Sequence, residues 1–149
     1  MHPVVYDWFK ANMQTMAGAE VPFYETQGIA PSNKNLPDLW MTMESDTSGM
    51  QRLTVGTQPI YREIGTVSCV FMGKSGLGIR AGLAAAQRLA DDVRDNRYQT
   101  ELTEESGRKG MLRIEDVSSP DPAPYEDGNW LLCTVVCSYT YDSVRGAGT

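Results

Sequence analysis

Residues 61–96, YREIGTVSCVFMGKSGLGIRAGLAAAQRLADDVRDN, decide the fold of this chain. They begin with a strand over residues 66–72, in which alternate side chains point to opposite faces. One of these faces carries Val67, Cys69 and Phe71. The chain turns at residues 73–78, and over residues 79–96 apolar side chains recur at helical spacing. The stretch predicts a strand, a tight turn and an amphipathic helix of roughly 27 Å, long enough to cover one face of a small sheet.

Length, charge and cysteine content limit the classes of protein. A chain of 149 residues is large enough to bury roughly 70% of its unfolded surface as one domain. Its net charge of -6 argues against a protein that grips nucleic acid over a whole face, but it is compatible with one that lets DNA pass. An odd number of cysteines, three, favours a reducing compartment. With no membrane-length apolar run and no signal peptide, we expect a soluble protein made in the cytoplasm.

The remaining periodicities place the other elements. They predict a helix at 3–16, coil at 21–37, strands at 39–44 and 51–57 joined by a polar turn at 45–49, a loop or loose hairpin at 100–110, a strand at 111–117, a proline-rich connection at 118–124 and a strand at 129–141. The last strand is apolar on both faces, which places it in the middle of a sheet or in a subunit interface. The order predicts an α+β fold whose mostly antiparallel sheet carries helices on one face. We expect one domain over residues 1–142 and a flexible tail at 143–149.

Two glycine patterns lie where nucleotides bind in other folds. Residues 73–75, Gly-Lys-Ser, sit between strand and helix, but the phosphate-binding loop requires a further glycine where this chain has Ser68. Residues 76–81, GLGIRA, fit a loosened dinucleotide fingerprint, yet no parallel strand follows the helix. A tight strand-to-helix turn is the favoured interpretation. A small nucleotide-binding enzyme remains as an alternative.

No catalytic, cofactor-binding or metal-binding residue is predicted. The acidic candidates are Glu104-Glu105, Asp91-Asp92, Asp121 and Glu126-Asp127. Without a neighbouring histidine or an apolar setting they are typical of solvated surface. The single histidine, His2, lies at a terminus that we expect to be mobile. Cys133 and Cys137 share a strand face about 13 Å apart, beyond the roughly 7 Å limit for a disulfide, and they have no further ligands to complete a zinc site.

Large apolar side chains are numerous for one small sheet. They include Trp40, Tyr61, Trp130, Tyr139, Tyr141 and eight methionines. Such groups are enriched at interaction surfaces, but they also fill cores. Both interpretations stay open from the sequence.

Four stretches follow one another in a recognisable order. They are residues 21–25 (VPFYE) with Pro31 and residues 39–41 (LWM), residues 61–67 (YREIGTV), residues 76–91 ending Leu-Ala-Asp, and residues 130–142 ending Tyr-Thr-Tyr-Asp. Together they resemble the tail-terminator-like proteins of long-tailed phages over about residues 21–142. The loop at 101–110 has no counterpart in that family's pattern.

This resemblance implies a structural virion protein rather than an enzyme. It would form a ring, as a hexamer, on the finished tail tube, end the elongation of the tube and join the tail to the head connector. Its partners would be copies of itself, the tail-tube protein and a head-tail connector or stopper protein, while DNA passes through the bore without specific binding. No cofactor and no membrane are involved. The protein would be assembled in the host cytoplasm and located in the tail or neck. Another head-tail joining ring of the neck is the alternative.

The ring interpretation assigns roles to two groups of residues. The candidate subunit or partner interface comprises Asp46, Met50, Arg52, Tyr61, Arg62 and Glu63. The hairpin around residues 46–52 would act as an arm that reaches a neighbour, and an exposed strand edge would pair between subunits. The candidate bore-lining acidic loops carry Glu104, Glu105, Glu126 and Asp127. Negative charge there lets DNA slide without sticking.

Overall fold

A computed structural model of the chain describes residues 1–18, 20–25, 36–54, 59–77, 79–124 and 130–144, without the side chains of residues 46–48, 77 and 144. In chain order the elements are helix α1 (Pro3–Ala17), strands β1 (Leu39–Arg52) and β2 (Ile60–Lys74), helix α2 (Arg80–Asn96), and strands β3 (Gln99–Thr103), β4 (Lys109–Val117), β5 (Asp121–Pro124) and β6 (Trp130–Val144). The short 3-10 turn Ser75–Leu77 follows β2.

The six strands form a single sheet in which every pair of neighbouring strands is antiparallel. The order is β1-β2-β6-β4-β3, and β5 pairs with β6 beyond the end of β4. Strands β2 and β6 pair over their full lengths, with Ile60 opposite Val144 and Lys74 opposite Trp130. The central position of β6 confirms what its two apolar faces predict. The predicted α+β class with a mostly antiparallel sheet is likewise confirmed.

Both helices pack on one face of the sheet, as predicted. In β2, Val67, Cys69 and Phe71 face the helices, whereas Val70 and Met72 face away. The core on the helix side takes from the two helices Val5, Phe9, Met13, Met16, Ala17, Ala85, Ala86, Leu89, Ala90 and Val93. On the opposite face a smaller cluster contains Trp40, Val70, Met72 and Trp130. Alternation along one strand therefore serves two separate apolar clusters.

The helices begin and end close to their predicted limits. Pro3 occupies the first turn of α1, where no N–H is needed, and the Nδ1 atom of His2 accepts the N–H of Val4 at 3.2 Å. Helix α2 begins at Arg80, one residue later than predicted. Ile79 is consequently not part of its buried face but is 42% exposed.

The predicted turn at residues 45–49 is wrong. Strand β1 continues through it to Arg52, with a bulge between Ser45 and Thr47. The reason is that β2 begins before the predicted strand at residues 66–72. Its residues 60–65 therefore pair with residues of β1 that locally favour a turn. A bulge at a sheet edge absorbs the irregularity. The hairpin that the chain forms is thus β1 with β2, closed by residues 53–59, of which 55–58 lie outside the described residues.

Three later segments contain more regular secondary structure than their predictions required. Residues 100–110 form the hairpin of β3 and β4, the second of the two predicted possibilities. The proline-rich connection contains β5, and prolines are tolerated there because β5 pairs on only one side. Strand β6 runs through Val144 and Ser143 is buried, so the predicted flexible tail begins inside the strand. Residues 145–149 lie outside the described residues.

Candidate subunit interface

The outer edge of the β1–β2 hairpin has no strand beside it among the described residues. We call residues 49–54 and 60–64 the arm. Residues 22–24 lie along the outer edge of β1, but they bond it only at Met41, whose N–H donates to Pro22 O and whose carbonyl accepts the N–H of Tyr24, each at 2.9 Å. Within the described chain, no strand pairs with the outer edge of β1 along the arm. Such an edge is a template for pairing with another chain.

Exposed apolar side chains are concentrated on the arm. The described part of the chain has four large apolar residues that are strongly exposed, and three of them are arm residues. Met50 is 57% exposed, Leu53 is 41% exposed and Ile64 is 47% exposed. Met50 lies opposite Glu63 in the register and Gly49 opposite Ile64, so each face of the arm carries an exposed apolar side chain. Exposed apolar side chains on both faces suit a contact with another molecule.

Hydrogen bonds hold the arm in shape. The Nε atom of Arg52 donates to the carbonyl of Thr54 at 2.7 Å, and the hydroxyl of Thr54 accepts the N–H of Ile60 at 2.9 Å. Tyr61, opposite Arg52 in the register, is half-buried. Asp46, the remaining predicted residue of β1, lies at the bulge, and its side chain is outside the description.

Beside the arm, an ion-pair cluster crosses the helix-free face of the sheet. Asp142 accepts two hydrogen bonds from Arg62, at 2.7 and 2.8 Å, and one from Arg113 at 3.0 Å. The hydrogen bond from Arg62 is the main reason why the pKa of Asp142 lies below its ordinary value, and the same bond raises the pKa of Arg62. The cluster joins β2, β6 and β4 and includes Arg62 of the arm. Arg62 thus forms an ion pair within its own subunit.

Sequence reasoning missed Asp142 and Arg113 because their pairing depends on the strand order. Residues 142 and 62 are opposite each other in β6 and β2, and Arg113 lies diagonally across β4. Opposite charges at outward positions of neighbouring strands are the only local signal. That signal becomes readable once the register is known.

Glu63 is not available to a neighbouring subunit, so its predicted interface role is wrong. The residue is 5% exposed and points to the helix face of the sheet. Its carboxylate lies 3.1 Å from the amino group of Met1 and accepts the N–H of His2 at 3.0 and 3.1 Å and the hydroxyl of Tyr139 at 3.2 Å. Burial, followed by the negative charge of Glu63, raises the pKa of Tyr139. The carboxylate anchors the residues that precede α1.

Glu104 is likewise not on an open acidic loop, which corrects its predicted position in a bore. It is 7% exposed, accepts the hydroxyl of Tyr141 at 2.7 Å and lies 3.2 Å from Nε2 of His2. His2 is therefore held between two carboxylates, contrary to the expectation of a mobile terminus. The neighbouring Glu105 is exposed. Glu126 and Asp127 lie outside the described residues.

Most of the aromatic residues considered for an interaction surface fill the two apolar clusters instead. Trp40, Trp130, Tyr139 and Tyr141 are all buried. The rings of Trp40 and Trp130 meet edge to face, with centroids 6.1 Å apart. For these four residues the core interpretation holds.

The strand-to-helix turn lacks the form of a phosphate loop. Strand β2 continues through Lys74 and passes at once into the turn Ser75–Leu77, so few backbone amides can surround a phosphate. The ammonium of Lys74 lies 4.0 Å from the carboxylate of Asp38, and both groups are exposed. Among the residues described, no three His, Cys, Asp or Glu side chains are grouped as metal ligands. No described helix combines the length and apolar character needed to cross a membrane.

No protein-family model matches the chain, and no curated protein matches it.

Proposed function

We propose that this chain is a structural subunit of the tail-terminator kind, which assembles into a hexameric ring on a phage tail tube. The ring ends elongation of the tube and presents a docking surface to the head connector. Its site of action is the neck of the virion, after assembly in the host cytoplasm. The observation that supports this proposal most is the arm, whose outer edge pairs with no described strand and which carries three exposed apolar side chains.

An arm of this kind suits a ring because rings use heterologous contacts. In such contacts one surface of each subunit meets a different surface of the next. The arm lies at one end of the sheet, and the Arg62–Asp142–Arg113 cluster ties it to the neighbouring strands. A rigid base lets each subunit present its arm at the same angle, which is what closure of a ring requires.

The distribution of acidic groups fits a wall along which DNA passes. With Glu104 buried, the exposed carboxylates of the β3–β4 hairpin are those of Glu101, Glu105, Glu115 and Asp116. Lys109 lies 3.4 Å from Glu101 and offsets part of this negative charge, whereas Glu105 is exposed in the turn between the two strands. Combined with a net charge of -6, such a surface repels phosphate and prevents DNA from sticking.

The proposal is tested by polymerising the cognate tail-tube protein with and without the chain. We expect tubes to stop growing when the chain is added, and the chain to be found at one end of each tube. The variant Leu53→Asp, which places a charge on the exposed arm, should leave the fold intact and fail to stop growth. Tubes that grow equally long in the presence of the chain would contradict the proposal. A chain found only against the portal of the head would instead make it a head-tail joining ring.

A further inference from the structure

His2 connects three parts of the fold at the start of α1. Its backbone N–H donates to the carboxylate of Glu63 in β2, at 3.0 and 3.1 Å. The Nε2 atom of its ring lies 3.2 Å from Oε1 of Glu104, which follows β3. The other ring nitrogen, Nδ1, accepts the N–H of Val4 at 3.2 Å and so caps the helix. Both nitrogens of one imidazole are therefore engaged, each with a different kind of partner.

These partners assign one protonation state to the ring. A nitrogen that accepts a hydrogen bond carries no proton, so Nδ1 is unprotonated while it caps Val4. Nε2 faces the carboxylate of Glu104, and because an ionised carboxylate only accepts hydrogen bonds, Nε2 carries the proton of the ring. The hydrogen-bond partners thus define neutral His2 in the tautomer that is protonated at Nε2.

A second proton on the ring would bind at Nδ1 and abolish the cap. The new N–H would face the N–H of Val4, and two donors cannot bond to each other. The positive end of the helix dipole also disfavours a cation at this position. The carboxylates of Glu63 and Glu104, which are 5% and 7% exposed, attract that cation in return. Protonation therefore exchanges a helix cap for a stronger charge interaction with two buried carboxylates.

The other charged and titratable groups around the ring nearly balance. Among the described residues they are the amino group of Met1 and the side chains of Asp7, Glu105, Arg108, Tyr139 and Tyr141. Two of them are positive and two are negative at neutral pH, and the tyrosines are neutral there. Glu63 and Glu104 consequently decide the local charge. The side chain of His2 is 21% exposed beside an opening of about 330 Å³, so protons from solvent reach it.

We propose that His2 is a pH-controlled cap of α1. In mildly alkaline solution the neutral ring accepts the N–H of Val4 and donates to Glu104. As the pH falls through the range in which histidine takes up a proton, roughly pH 8 to 5, Nδ1 binds a proton and releases Val4. The first turn of α1 then loosens, while the ring stays with the carboxylates of Glu63 and Glu104. This exchange takes place within one chain and does not depend on the proposed ring.

NMR spectroscopy tests the cap without ambiguity, because His2 is the only histidine of the chain. At about pH 8, long-range ¹H–¹⁵N spectra should show a proton on Nε2 and none on Nδ1, and at about pH 5 both nitrogens should be protonated. Over the same interval the Val4 amide, after correction for the intrinsic effect of pH, should exchange with solvent about fivefold faster or more. The amides of residues 85–90, within α2, are the internal reference and should not change.

The variant His2→Asn is the matched control. An asparagine cap also accepts the N–H of Val4, but it does not titrate in this range. Its Val4 amide should therefore exchange at the same corrected rate at both pH values. A proton on Nδ1 at the higher pH, or an unchanged Val4 exchange rate in the wild type, overturns the proposal. The same acceleration in His2→Asn also overturns it, because the change would then belong to the carboxylates and not to His2.

Discussion

Asp142 lies between two arginines on neighbouring strands, and we expect its negative charge to stabilise the folded chain. Because it accepts three hydrogen bonds, Asp142→Asn should lower the free energy of unfolding at pH 7 by about 1–2 kcal/mol, after allowance for the partial exposure of both arginines. The matched control is Asp95→Asn, at an exposed position of α2, which should change stability by less than about 0.5 kcal/mol.

The same residue predicts a pH dependence with a definite sign. Its pKa is lower in the folded chain than in the unfolded one. The stabilisation is therefore complete above the pKa that Asp142 has in the unfolded chain, about 3.9. It is lost as the pH falls through the lower pKa that Asp142 has in the folded chain. Urea unfolding of the wild type and Asp142→Asn should show a stability difference that shrinks below about pH 4. A difference that stays constant down to pH 2 would refute the assignment.

At Gly110 in β4, the absence of a Cβ atom leaves room for the side chain of Tyr141. A Cβ there would overlap the ring and hydroxyl of Tyr141, which itself donates to Glu104. Gly110→Ala should therefore displace Tyr141 and lower the free energy of unfolding by about 1–3 kcal/mol. Gly49→Ala is the control, since nothing lies within 4 Å of the added atom. Thermal unfolding measures both, and equal melting temperatures for the two variants would show that Tyr141 moves aside freely.

At the scale of elements, hydrophobic periodicity correctly predicted the segments whose secondary structure depends mainly on their own sequence. The two helices and the strand at residues 66–72 were predicted correctly because the apolar face of each element packs in the core. The prediction of a turn at 45–49 failed for a non-local reason, because the first half of β2 pairs with these residues and stabilises them as a strand. Turn-forming residues are a local preference, and pairing with a neighbouring strand overrides it.

A matched pair of leucines tests the packing of α2 on the sheet. Leu89 is fully buried between α2 and the strands, whereas Leu53 is exposed on the arm. Leu89→Ala should lower the free energy of unfolding by about 2–5 kcal/mol because it leaves a cavity, and Leu53→Ala should change it by less than about 0.5 kcal/mol. Chemical denaturation distinguishes them. Similar losses in both variants would mean that the arm is packed within its own subunit.

At the scale of the whole molecule, the candidate interface was only partly predictable. Met50 and Arg52 are exposed, but they lie in the β1–β2 hairpin and not in the predicted hairpin that turns at residues 45–49. Glu63 and Glu104 could not be placed, since their burial depends on residues 1–2 returning to the sheet from far away in sequence.

The central claim is that the chain works by closing a ring of copies of itself around a hollow axis. Electron microscopy of the purified chain bound to cognate tail tubes tests it most directly, through the rotational symmetry of averaged end-on views of the tube ends. The account predicts a closed six-fold ring at one end of each tube, with the arm of every subunit against its neighbour. Bare tube ends beside a chain that remains monomeric at every concentration would contradict it.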